Sequence, residues 1–252
     1  MKAVVLAAGM GRRLHPLSKT IPKGLILVGE KPILRYSLEA LKANQISEVI
    51  LVVGFLQEVI RHQFGREYQG LKITYVENNR YQTTGSMYSL SKARDAIGNS
   101  EIILLESDLL YDPKAMPIML ESPFRDCLLT ADVSQSGDEV YICVDEEQRV
   151  VELGKDISGE SKRRALGELV GISRFSRKFL SQLFEKAEEE YKSGEYNRHY
   201  EECVFSLSTQ GYPVYSLFCE NLLWIEIDNE EDLRRAREEL YPRIRSRLEA
   251  RG

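Results

Sequence analysis

The sequence predicts an α/β fold with a mixed, mostly parallel central sheet between two layers of helices, a Rossmann-like three-layer α/β/α arrangement. In the first half of the chain, short apolar runs typical of buried strands alternate with segments of helical periodicity. Strands that are separated by helices pair in parallel, and their helices cover both faces of the sheet. In the second half, a hairpin pattern at 140–153 indicates antiparallel strands added to the same sheet.

The first half contains a series of predicted strands and helices. The strands are the apolar or alternating runs at 2–8, 48–54, 71–77 and 101–106. The helices are the segments at 32–44, 57–68 and 86–96. In the first of these helices Leu34, Leu38 and Leu41 recur on one face, which indicates a buried side. Because ligands bind at the carboxyl ends of the strands in such a sheet, we expect a site in the turns that follow these strands.

The second half is predicted to be a lobe built onto the same sheet. Its strands are predicted at 128–133, 140–144, 149–153, 168–175, 214–218 and 222–227. Its helices are predicted at 179–192, at 200–209 and from Asn229 to the C-terminus, and the polar, basic segment 158–164 is predicted to be a loop. Since no stretch rich in Pro, Gly or Ser interrupts the chain, residues 1–252 are predicted to form one domain.

The composition excludes several classes of protein. The chain has 252 residues, of which 34 are Lys or Arg and 39 are Asp or Glu, so its net charge is -5. A mildly acidic protein is a poor general binder of nucleic acid. Four cysteines without a Cys-x-x-Cys pair, together with three histidines, disfavour a zinc site and indicate buried free thiols in a reducing compartment. No apolar run approaches the roughly 18 residues of a membrane span, and the first run is too short for a signal peptide, so we expect a cytoplasmic protein with no membrane partner.

A glycine-rich turn after the first predicted strand is the most informative segment. Residues 6–14 read Leu-Ala-Ala-Gly-Met-Gly-Arg-Arg-Leu, and the exposed N–H groups of such a turn can cradle phosphate oxygens. The turn lacks the third glycine of a dinucleotide fingerprint, where Leu14 stands, and the Gly-Lys-Ser/Thr of a P-loop. Arg13 and, further on, Lys23 are two cations that suit a triphosphate, whose charge grows as pyrophosphate leaves. The alternative is a tight turn with a solvated Arg13 and Lys23.

Two aspartates at predicted strand ends are candidate metal ligands. Asp108 follows the apolar run 102–105, and Asp228 ends the run 224–228. A carboxylate at the ligand edge of the sheet can hold a Mg²⁺ ion that also contacts phosphate oxygens. Asp228 or Asn229 could instead cap the C-terminal helix.

The segment 6–23 resembles the signature of the nucleoside-diphosphate-sugar pyrophosphorylase-like nucleotidyltransferases, in which L-A-A-G-x-G-x-R-L is followed by P-K. Segments at 81–87, 105–112, 136–141, 167–171 and 226–230 resemble the cytidylyltransferase domain of phosphonate cytidylyltransferases, which attach CMP to 2-aminoethylphosphonate. The bacterial phosphocholine cytidylyltransferases are a related branch that shares the start of the chain and the final Glu-Ile-Asp. That branch tends to carry Asn-Asn where this chain has Thr84 and Gly85.

The resemblance implies a nucleotidyltransferase fold, CTP as a substrate and Mg²⁺ as the cofactor, with residues 1–125 binding the nucleotide and 126–252 the acceptor. The nucleotide-binding residues that it implies are Leu6, Ala8, Gly9, Gly11, Arg13, Lys23, Thr84, Gly85, Ser86, Glu106, Ser107 and Asp108. The catalytic residues that it implies are Arg13, Lys23, Asp108, Lys155 and Asp228, with Asp108 and Asp228 as metal ligands and Lys155 directed at the acceptor. Thr84, Gly85 and Ser86 would contact the pyrimidine, although Thr84 or Ser86 could also be a simple helix N-cap.

The cationic group of the acceptor distinguishes the two related branches. A quaternary ammonium donates no hydrogen bonds and is held by aromatic faces, whereas a primary ammonium has three donors and prefers carboxylates. The predicted acceptor-binding residues are Glu139, Lys155, Glu168, Tyr200 and Glu202, with Glu201 as the alternative to Glu202. Since Glu139 and Glu168 lie in segments most like the phosphonate branch, the sequence favours 2-aminoethylphosphonate.

The sequence admits other substrates and a second class of function. Phosphocholine, a sugar 1-phosphate or inositol 1-phosphate are alternative acceptors, and UTP shares one ring edge with CTP. A catalytically silent nucleotide-binding regulator on the same fold is the non-enzyme alternative. A homodimer is compatible with the sequence.

Overall fold

The structure, a computed structural model, describes residues 1–249. Its strands are β1 (Lys2–Ala7), β2 (Leu27–Val28), β3 (Lys31–Pro32), β4 (Glu48–Val53), β5 (Glu67–Tyr68), β6 (Leu71–Glu77), β7 (Ile102–Glu106), β8 (Leu109–Tyr111), β9 (Cys127–Ala131), β10 (Tyr141–Val144), β11 (Val150–Gly154), β12 (Gly167–Phe175), β13 (Tyr215–Cys219) and β14 (Trp224–Glu226). Its helices are α1 (Ile33–Ala43), α2 (Gln57–Phe64), α3 (Ser86–Lys92), α4 (Arg94–Ile97), α5 (Ala115–Leu120), α6 (Gly159–Arg164), α7 (Arg177–Lys192), α8 (Tyr200–Ser208), α9 (Glu230–Arg235) and α10 (Tyr241–Glu249). Short 3₁₀ turns occupy Arg12–Leu14, Leu17–Lys19 and Lys23–Leu25, and a π-helical turn at Ala236–Leu240 joins α9 to α10.

Ten of the described strands form one sheet, with the order β11-β10-β12-β7-β1-β4-β6-β5 and with β9 and β13 joined beside β12. The strands β7, β1, β4 and β6 are parallel neighbours, as their buried apolar runs predict. β12 runs antiparallel to β7, with Ile172 opposite Leu105, and so brings the second half of the chain onto the same sheet. The predicted α/β class with a mixed sheet is therefore confirmed.

Helices cover both faces of the sheet because the side chains of each strand alternate between the faces. In β1, Ala3 and Val5 belong to one apolar cluster, whereas Val4 belongs to the other. The helices α1, α2 and α5 bury residues such as Leu38 in the first cluster, and α3, α7 and α8 bury residues such as Leu90 in the second. This packing produces the predicted three layers.

A third apolar cluster attaches the C-terminal segment beside the sheet. It contains Leu14 from the turn after β1, Ile225 from β14 and Ile244 from α10. β8 and β14 form a separate antiparallel pair next to it. Arg247 donates to the buried carboxylate of Asp112 (2.7 Å), which fixes α10 to the end of β8. The cluster therefore holds the turn after β1 against the β8–β14 pair.

Several predicted elements differ from the structure. The predicted helix 57–68 ends at Phe64 because Gly65, with φ 63°, terminates it. The loop prediction for 158–164 is wrong, since this segment forms α6, and Ser158 caps the helix by accepting a hydrogen bond from Ser161 N–H (3.0 Å). The predicted helix 86–96 is divided into α3 and α4. The predicted C-terminal helix is interrupted by the π-helical turn, and residues 250–252 of that prediction lie outside the described residues.

All four cysteines lie in the described residues, and they are buried and free, as predicted. Burial raises the pKa of the Cys127 thiol to about 11, which leaves it a poor nucleophile near neutral pH. None of the helices in residues 1–249 has the length and apolarity needed to cross a membrane.

Candidate active site

A cavity of about 450 Å³ opens at the carboxyl ends of β1 and β7, where ligands bind in open α/β sheets. It brings together every predicted nucleotide-binding and catalytic residue: Leu6, Ala8, Gly9, Gly11, Arg13, Lys23, Thr84, Gly85, Ser86, Glu106, Ser107, Asp108, Lys155 and Asp228. Residues outside the predicted set also line it, and they include Asn78, Tyr81, Asp138, His199, Glu201 and Glu226. Both halves of the chain therefore contribute to one cavity.

The glycine turn after β1 leaves open space above its backbone. A Cβ on Gly9 would meet no heavy atom within 4 Å. Gly11 has φ 57°, a left-handed conformation that favours glycine, and its carbonyl accepts a hydrogen bond from the Ser18 hydroxyl (2.6 Å). Phe55 N–H donates to the Ala8 carbonyl (3.1 Å) and ties the turn to the end of β4. The protein thus fixes the turn and leaves the space above Gly9 open.

Lys23 joins two aspartates that lie far apart in the sequence. Its ammonium donates hydrogen bonds to the carboxylates of Asp108 and Asp228. The aspartates meet because Asp108 precedes β8 and Asp228 follows β14, two antiparallel neighbours, and Ile227 N–H donates to the Asp108 carbonyl (3.0 Å). The Lys23 side chain is only 11% exposed. Burial lowers its pKa, but the neighbouring carboxylates outweigh this effect and leave the pKa raised, so Lys23 stays charged.

Arg13 and Lys155 meet at a third aspartate. Arg13 donates to Asp138 through Nη1 (2.8 Å) and to Asp228 through Nη2 (2.6 Å). Lys155 donates through Nζ to the other oxygen of Asp138 (2.6 Å). Burial raises the pKa of Asp138, but the hydrogen bonds from Lys155 and Arg13 bring it below its usual value. Asp138 is therefore an ionised residue between the two halves of the cavity.

Three carboxylates form a close cluster beside Lys23. Glu106, Asp108 and Glu226 bring carboxylate oxygens within 4.8 Å of one another. Burial raises the pKa of Glu226 to about 8 and that of Glu106 well above its usual value, and the nearby carboxylates add to both shifts. Oδ1 of Asp108 is buried and has no hydrogen-bond partner in the described part of the chain. An oxygen ligand set with one uncommitted oxygen fits a hard divalent cation such as Mg²⁺. The cluster contains Asp108 of the predicted pair together with Glu106 and Glu226, whereas both carboxylate oxygens of Asp228 accept hydrogen bonds from Lys23 and Arg13.

The predicted base-binding turn packs against the segment before α8. Asn78 donates to the Thr84 hydroxyl (3.1 Å), which holds the turn at the end of β6. A Cβ at Gly85 would overlap the carbonyl oxygen of Arg198, so only glycine allows this approach. Tyr200 N–H donates to the Ser86 hydroxyl (2.9 Å). The predicted base-binding turn and the start of α8, which carries predicted acceptor-binding residues, are therefore in direct contact.

The remaining predicted acceptor residues do not line this cavity. Tyr200 is completely buried in the apolar cluster under α8, so it cannot contact an acceptor there. The Glu202 carboxylate accepts the His199 N–H (2.6 Å) and caps α8. Glu139 is buried and accepts the Gly137 N–H (2.9 Å). These contacts commit the three side chains to the structure of the protein.

Glu168 lines a smaller neighbouring cavity of about 150 Å³, which shares Arg13, Asp138 and Asp228 with the main one. Its carboxylate accepts the Ser134 N–H (2.6 Å). Burial is the main cause that raises the pKa of Glu168 to about 7. Glu168 is thus next to the main cavity and outside it.

Glu201, the alternative to Glu202, faces the main cavity. Neighbouring residues of a helix point about 100° apart, so only one of the two can face inward. The Glu201 side chain is buried, and its Oε2 has no hydrogen-bond partner among the described residues. Burial raises its pKa, and Lys155 is among the charges that counteract the rise. Among the predicted acceptor-binding residues and their alternative, Glu201 is the one with a buried carboxylate oxygen that has no hydrogen-bond partner in residues 1–249.

Comparison with known proteins identifies the family. Residues 2–149 match the family described as Nucleotidyl transferase. The chain belongs to the nucleotidyl transferase family. The matched region runs from β1 to β10 and includes the glycine turn, Lys23, Asp108 and Asp138. The chain is therefore an enzyme that transfers nucleotidyl groups.

Three relatives of this nucleotidyl transferase differ in how much of each chain they share. A CMP-5'-(3-aminopropyl)phosphonate synthase from Streptomyces rubellomurinus is 40% identical over 123 residues, 49% of this chain but only 19% of that relative. A choline-phosphate cytidylyltransferase from Streptococcus pneumoniae is 27% identical over 242 residues, 94% of this chain and 97% of the relative. A 2-aminoethylphosphonate cytidylyltransferase from Lancefieldella rimae is 30% identical over 191 residues, 75% of this chain and 73% of the relative.

A solved structure has the same fold. The inositol-1-phosphate CTP transferase from T. maritima superimposes with a TM-score of 0.79 over 97% of this chain and 96% of that one, at 23% sequence identity. This likeness concerns the fold, and it extends through both halves of the nucleotidyl transferase.

The sequence contained signals for some of the residues that the prediction missed. Asp138 lies in the segment 136–141 and Glu226 in the segment 226–230, both of which carry the resemblance to phosphonate cytidylyltransferases. Nothing in the spacing alone distinguishes these carboxylates from solvated ones. In the structure, the cavity of this nucleotidyl transferase combines fixed cations, an open glycine turn and buried carboxylates, which suits the handling of phosphate groups together with cations.

Proposed function

We propose that this nucleotidyl transferase transfers CMP from CTP to 2-aminoethylphosphonate and releases pyrophosphate. The observation that carries the proposal is the uncommitted Oε2 of Glu201, a buried carboxylate oxygen at the acceptor end of the cavity. A primary ammonium supplies hydrogen-bond donors to such an oxygen, whereas a quaternary ammonium supplies none. Tyr81 is the one Phe, Tyr or Trp in the described lining, so a quaternary ammonium would find no aromatic cage here.

The names of the relatives support CMP transfer to a phosphonate or phosphate acceptor. Two of the relatives are named for aminoalkyl phosphonates, and the third is named for choline phosphate. All three names refer to CMP or to cytidylyl transfer. The comparison therefore supports the nucleotide, and the acceptor end of the cavity favours the aminophosphonate.

In the proposed complex, the nucleotide binds to residues of the segment 1–125. The triphosphate would lie over the turn at Gly9, where the backbone leaves open space, with Gly11 packed against the side chain of Lys23. Arg13 and Lys23 would provide the cations for the two terminal phosphates, because they flank that turn. The pyrimidine would lie against the turn at 84–86. Residues of the segment 126–252, Lys155 among them, would bind the acceptor.

Asp108 and Glu226 of the cluster, together with Asp228 in exchange for one of its bonds to Lys23 or Arg13, are the residues that would hold Mg²⁺. When bound, the ion would neutralise charge on the phosphates and on the acceptor. The same three carboxylates would then lose part of the mutual repulsion that raises the pKa of Glu226.

The chain's own residues contribute alignment and charge. A phosphonate is already anionic near neutral pH, so its oxygen can attack the α-phosphorus of CTP without a general base. The new P–O bond forms in line with the bond to pyrophosphate, which leaves with the electron pair of the broken bond. Lys155 would orient the acceptor, and Arg13 and Lys23 would stabilise the charge on the departing pyrophosphate.

A panel of acceptors tests the proposal. The protein is incubated with CTP, Mg²⁺ and one acceptor at a time, and pyrophosphate release is measured. We expect kcat/KM for 2-aminoethylphosphonate to exceed that for ethylphosphonate, the matched compound without the ammonium, by about tenfold or more, since a charged hydrogen bond contributes about 1.5–3 kcal/mol. It should also exceed kcat/KM for phosphocholine, inositol 1-phosphate and glucose 1-phosphate.

Two results would contradict the proposal. Faster turnover of phosphocholine would assign the chain to the other branch. CTP binding without pyrophosphate release for any acceptor would indicate a silent nucleotide-binding protein. Replacing CTP with UTP in the same assay tests the choice of base.

A further inference from the structure

A continuous row of ion pairs crosses the cavity. Lys155 and Arg13 share Asp138, and Arg13 also binds Asp228. Lys23 then joins Asp228 to Asp108. Without substrate, the cations that would hold the phosphates are therefore engaged by carboxylates of the protein.

Asp138 occupies a distinctive place in this row. It lies in the loop between β9 and β10, next to Gly137, which has a left-handed φ of 88°. The base of this loop is held by Ser134, whose N–H and hydroxyl both donate to Glu168 (2.6 and 3.2 Å). The side chain of Asp138 uses one oxygen for Arg13 and the other for Lys155. It thus links a cation from the nucleotide half to a cation from the acceptor half.

Substrate binding would affect the two hydrogen bonds of Asp138, from Arg13 and from Lys155, in different ways. A guanidinium that donates to a nucleotide's phosphates can no longer direct both of its Nη groups at Asp138 and Asp228. The Arg13 side chain is 56% exposed, and an exposed ion pair contributes little to stability. Phosphates can therefore readily displace Asp138 from Arg13. In the proposed complex, Lys155 does not contact those phosphates, so it can keep its hydrogen bond to Asp138.

We propose that Asp138 is a positioning residue with two successive roles. It restrains Arg13 until the nucleotide's phosphates take its place as the partner of Arg13, and it then holds Lys155 towards the acceptor. This inference rests on the proposed function for the role of Lys155, whereas its nucleotide part requires only that CTP binds at Arg13. Asp138 consequently weakens nucleotide binding and promotes turnover. Substitution of a residue with a merely structural role would instead weaken nucleotide binding and lower turnover together.

Asp138→Asn tests this pair of opposite effects, with Asp145→Asn as the matched control. Asp145 also accepts a hydrogen bond from an arginine, Arg149 (2.7 Å), but on a turn outside the cavity. The Kd for CTP is measured by calorimetry in the presence of Mg²⁺ and without acceptor, and kcat and the acceptor KM are measured by pyrophosphate release. Thermal unfolding of each variant reports whether it is folded.

We expect the Kd for CTP to fall about two- to fivefold in Asp138→Asn, because one competing ion pair of Arg13 is lost. We expect kcat to fall about tenfold or more, because Lys155 is no longer aligned. The control should change neither value. The inference is overturned if CTP binds more weakly or with unchanged Kd, or if only the acceptor KM rises, which would make Asp138 a direct ligand of the ammonium.

The binding and turnover measurements separate this inference from the proposed function. Tighter CTP binding in Asp138→Asn, with no aminophosphonate turnover in the unmodified chain, would reject the proposed acceptor and retain the restraint on Arg13. Turnover of the aminophosphonate with no effect of Asp138→Asn on the Kd for CTP would retain the proposed function and reject the inference. Asp138→Ala, which also removes the hydrogen-bonding amide, should shift the Kd in the same direction.

Discussion

Replacing Lys23 with alanine tests the centre of the site. Its ammonium bonds to Asp108 and Asp228, and its side chain is 11% exposed. Lys23→Ala therefore removes a buried positive charge from beside a cluster of carboxylates. It also removes a cation that, in the proposed reaction, stabilises the departing pyrophosphate.

The structure allows both consequences of Lys23→Ala to be given a magnitude. Removing one preorganised group that stabilises transition-state charge lowers kcat by about 10² to 10³-fold. Breaking a buried pair costs about 3–5 kcal/mol, but the side chains of Asp108 and Asp228 are 14% and 17% exposed, and Asp228 keeps its bond to Arg13. We therefore expect the free energy of unfolding to fall by about 1–3 kcal/mol. The loss should shrink as the pH falls from 8 to 5, because burial and the neighbouring carboxylates raise the pKa of Glu226 to about 8, and its protonation leaves less negative charge for Lys23 to offset.

Pyrophosphate release with CTP and 2-aminoethylphosphonate measures the first effect, and urea unfolding at pH 5 and pH 8 measures the second. Lys31→Ala is the matched control, since Lys31 binds Glu39 (2.7 Å) on the surface and is 38% exposed. We expect the control to keep its kcat within about twofold, in line with the small contribution of an exposed pair. Near-normal turnover by Lys23→Ala would refute the role of this residue at the phosphates. An unchanged free energy of unfolding at pH 8 would refute the electrostatic account.

Three further substitutions test other parts of the site. Gly9→Ala should leave the melting temperature unchanged, because a Cβ there meets no heavy atom within 4 Å. The same substitution should raise the Kd for CTP measured by calorimetry. A lower melting temperature would contradict the open space above Gly9. Glu201→Gln should raise the KM for 2-aminoethylphosphonate about tenfold or more by loss of a charged hydrogen bond, whereas Glu202→Gln should not, and equal effects would reject the assignment. Burial raises the pKa of Glu168 to about 7 from its usual 4.5, so the native state binds the proton more tightly than the unfolded chain and loses stability as the pH rises through this range. Between pH 4.5 and pH 8, the free energy of unfolding of the unmodified chain should therefore fall by about 3 kcal/mol relative to that of Glu168→Gln, as measured by urea unfolding. If the difference in this free energy between the two proteins is the same at both pH values, the raised pKa of Glu168 is contradicted.

The first half of the chain was predictable because the sequence features that determine its structure are local. The turn after β1 directly follows a buried apolar run, so residues such as Gly9 and Arg13 lie close to the carboxyl end of a central strand. The parallel pairing of β7, β1, β4 and β6 follows from apolar runs separated by helices. In this half, the order of residues along the chain already determines which side chains lie at the edge of the sheet.

The second half of the chain was less predictable, because the placement of its side chains depends on strand register and on the phase of its helices. Tyr200, Glu201 and Glu202 are consecutive, yet one is buried in the core, one faces the cavity and one caps α8. A shift of one residue in the start of α8 would exchange these roles, and sequence patterns locate helix ends less accurately than that. A strand was predicted at β14, but β8 has only three residues, too few for a periodic signal, and the sequence did not predict that the two strands pair and bring Asp108 to Asp228.

The charges of the cavity explain why both substrates would need a cation. In the described lining, the carboxylates outnumber the cations: Glu106, Asp108, Asp138, Glu201, Glu226 and Asp228 against Arg12, Arg13, Lys23 and Lys155. The raised pKa values of Glu106 and Glu226 keep some of these carboxylates protonated near neutral pH, and a triphosphate brings further negative charge to the same cavity. A divalent ion at the cluster around Asp108 and a cationic group at Glu201 would each neutralise one region of this excess. The acidic lining would therefore favour a metal-bound nucleotide and an acceptor with a cationic group, and it would disfavour the same reaction with water or with a phosphonate that lacks a cationic group.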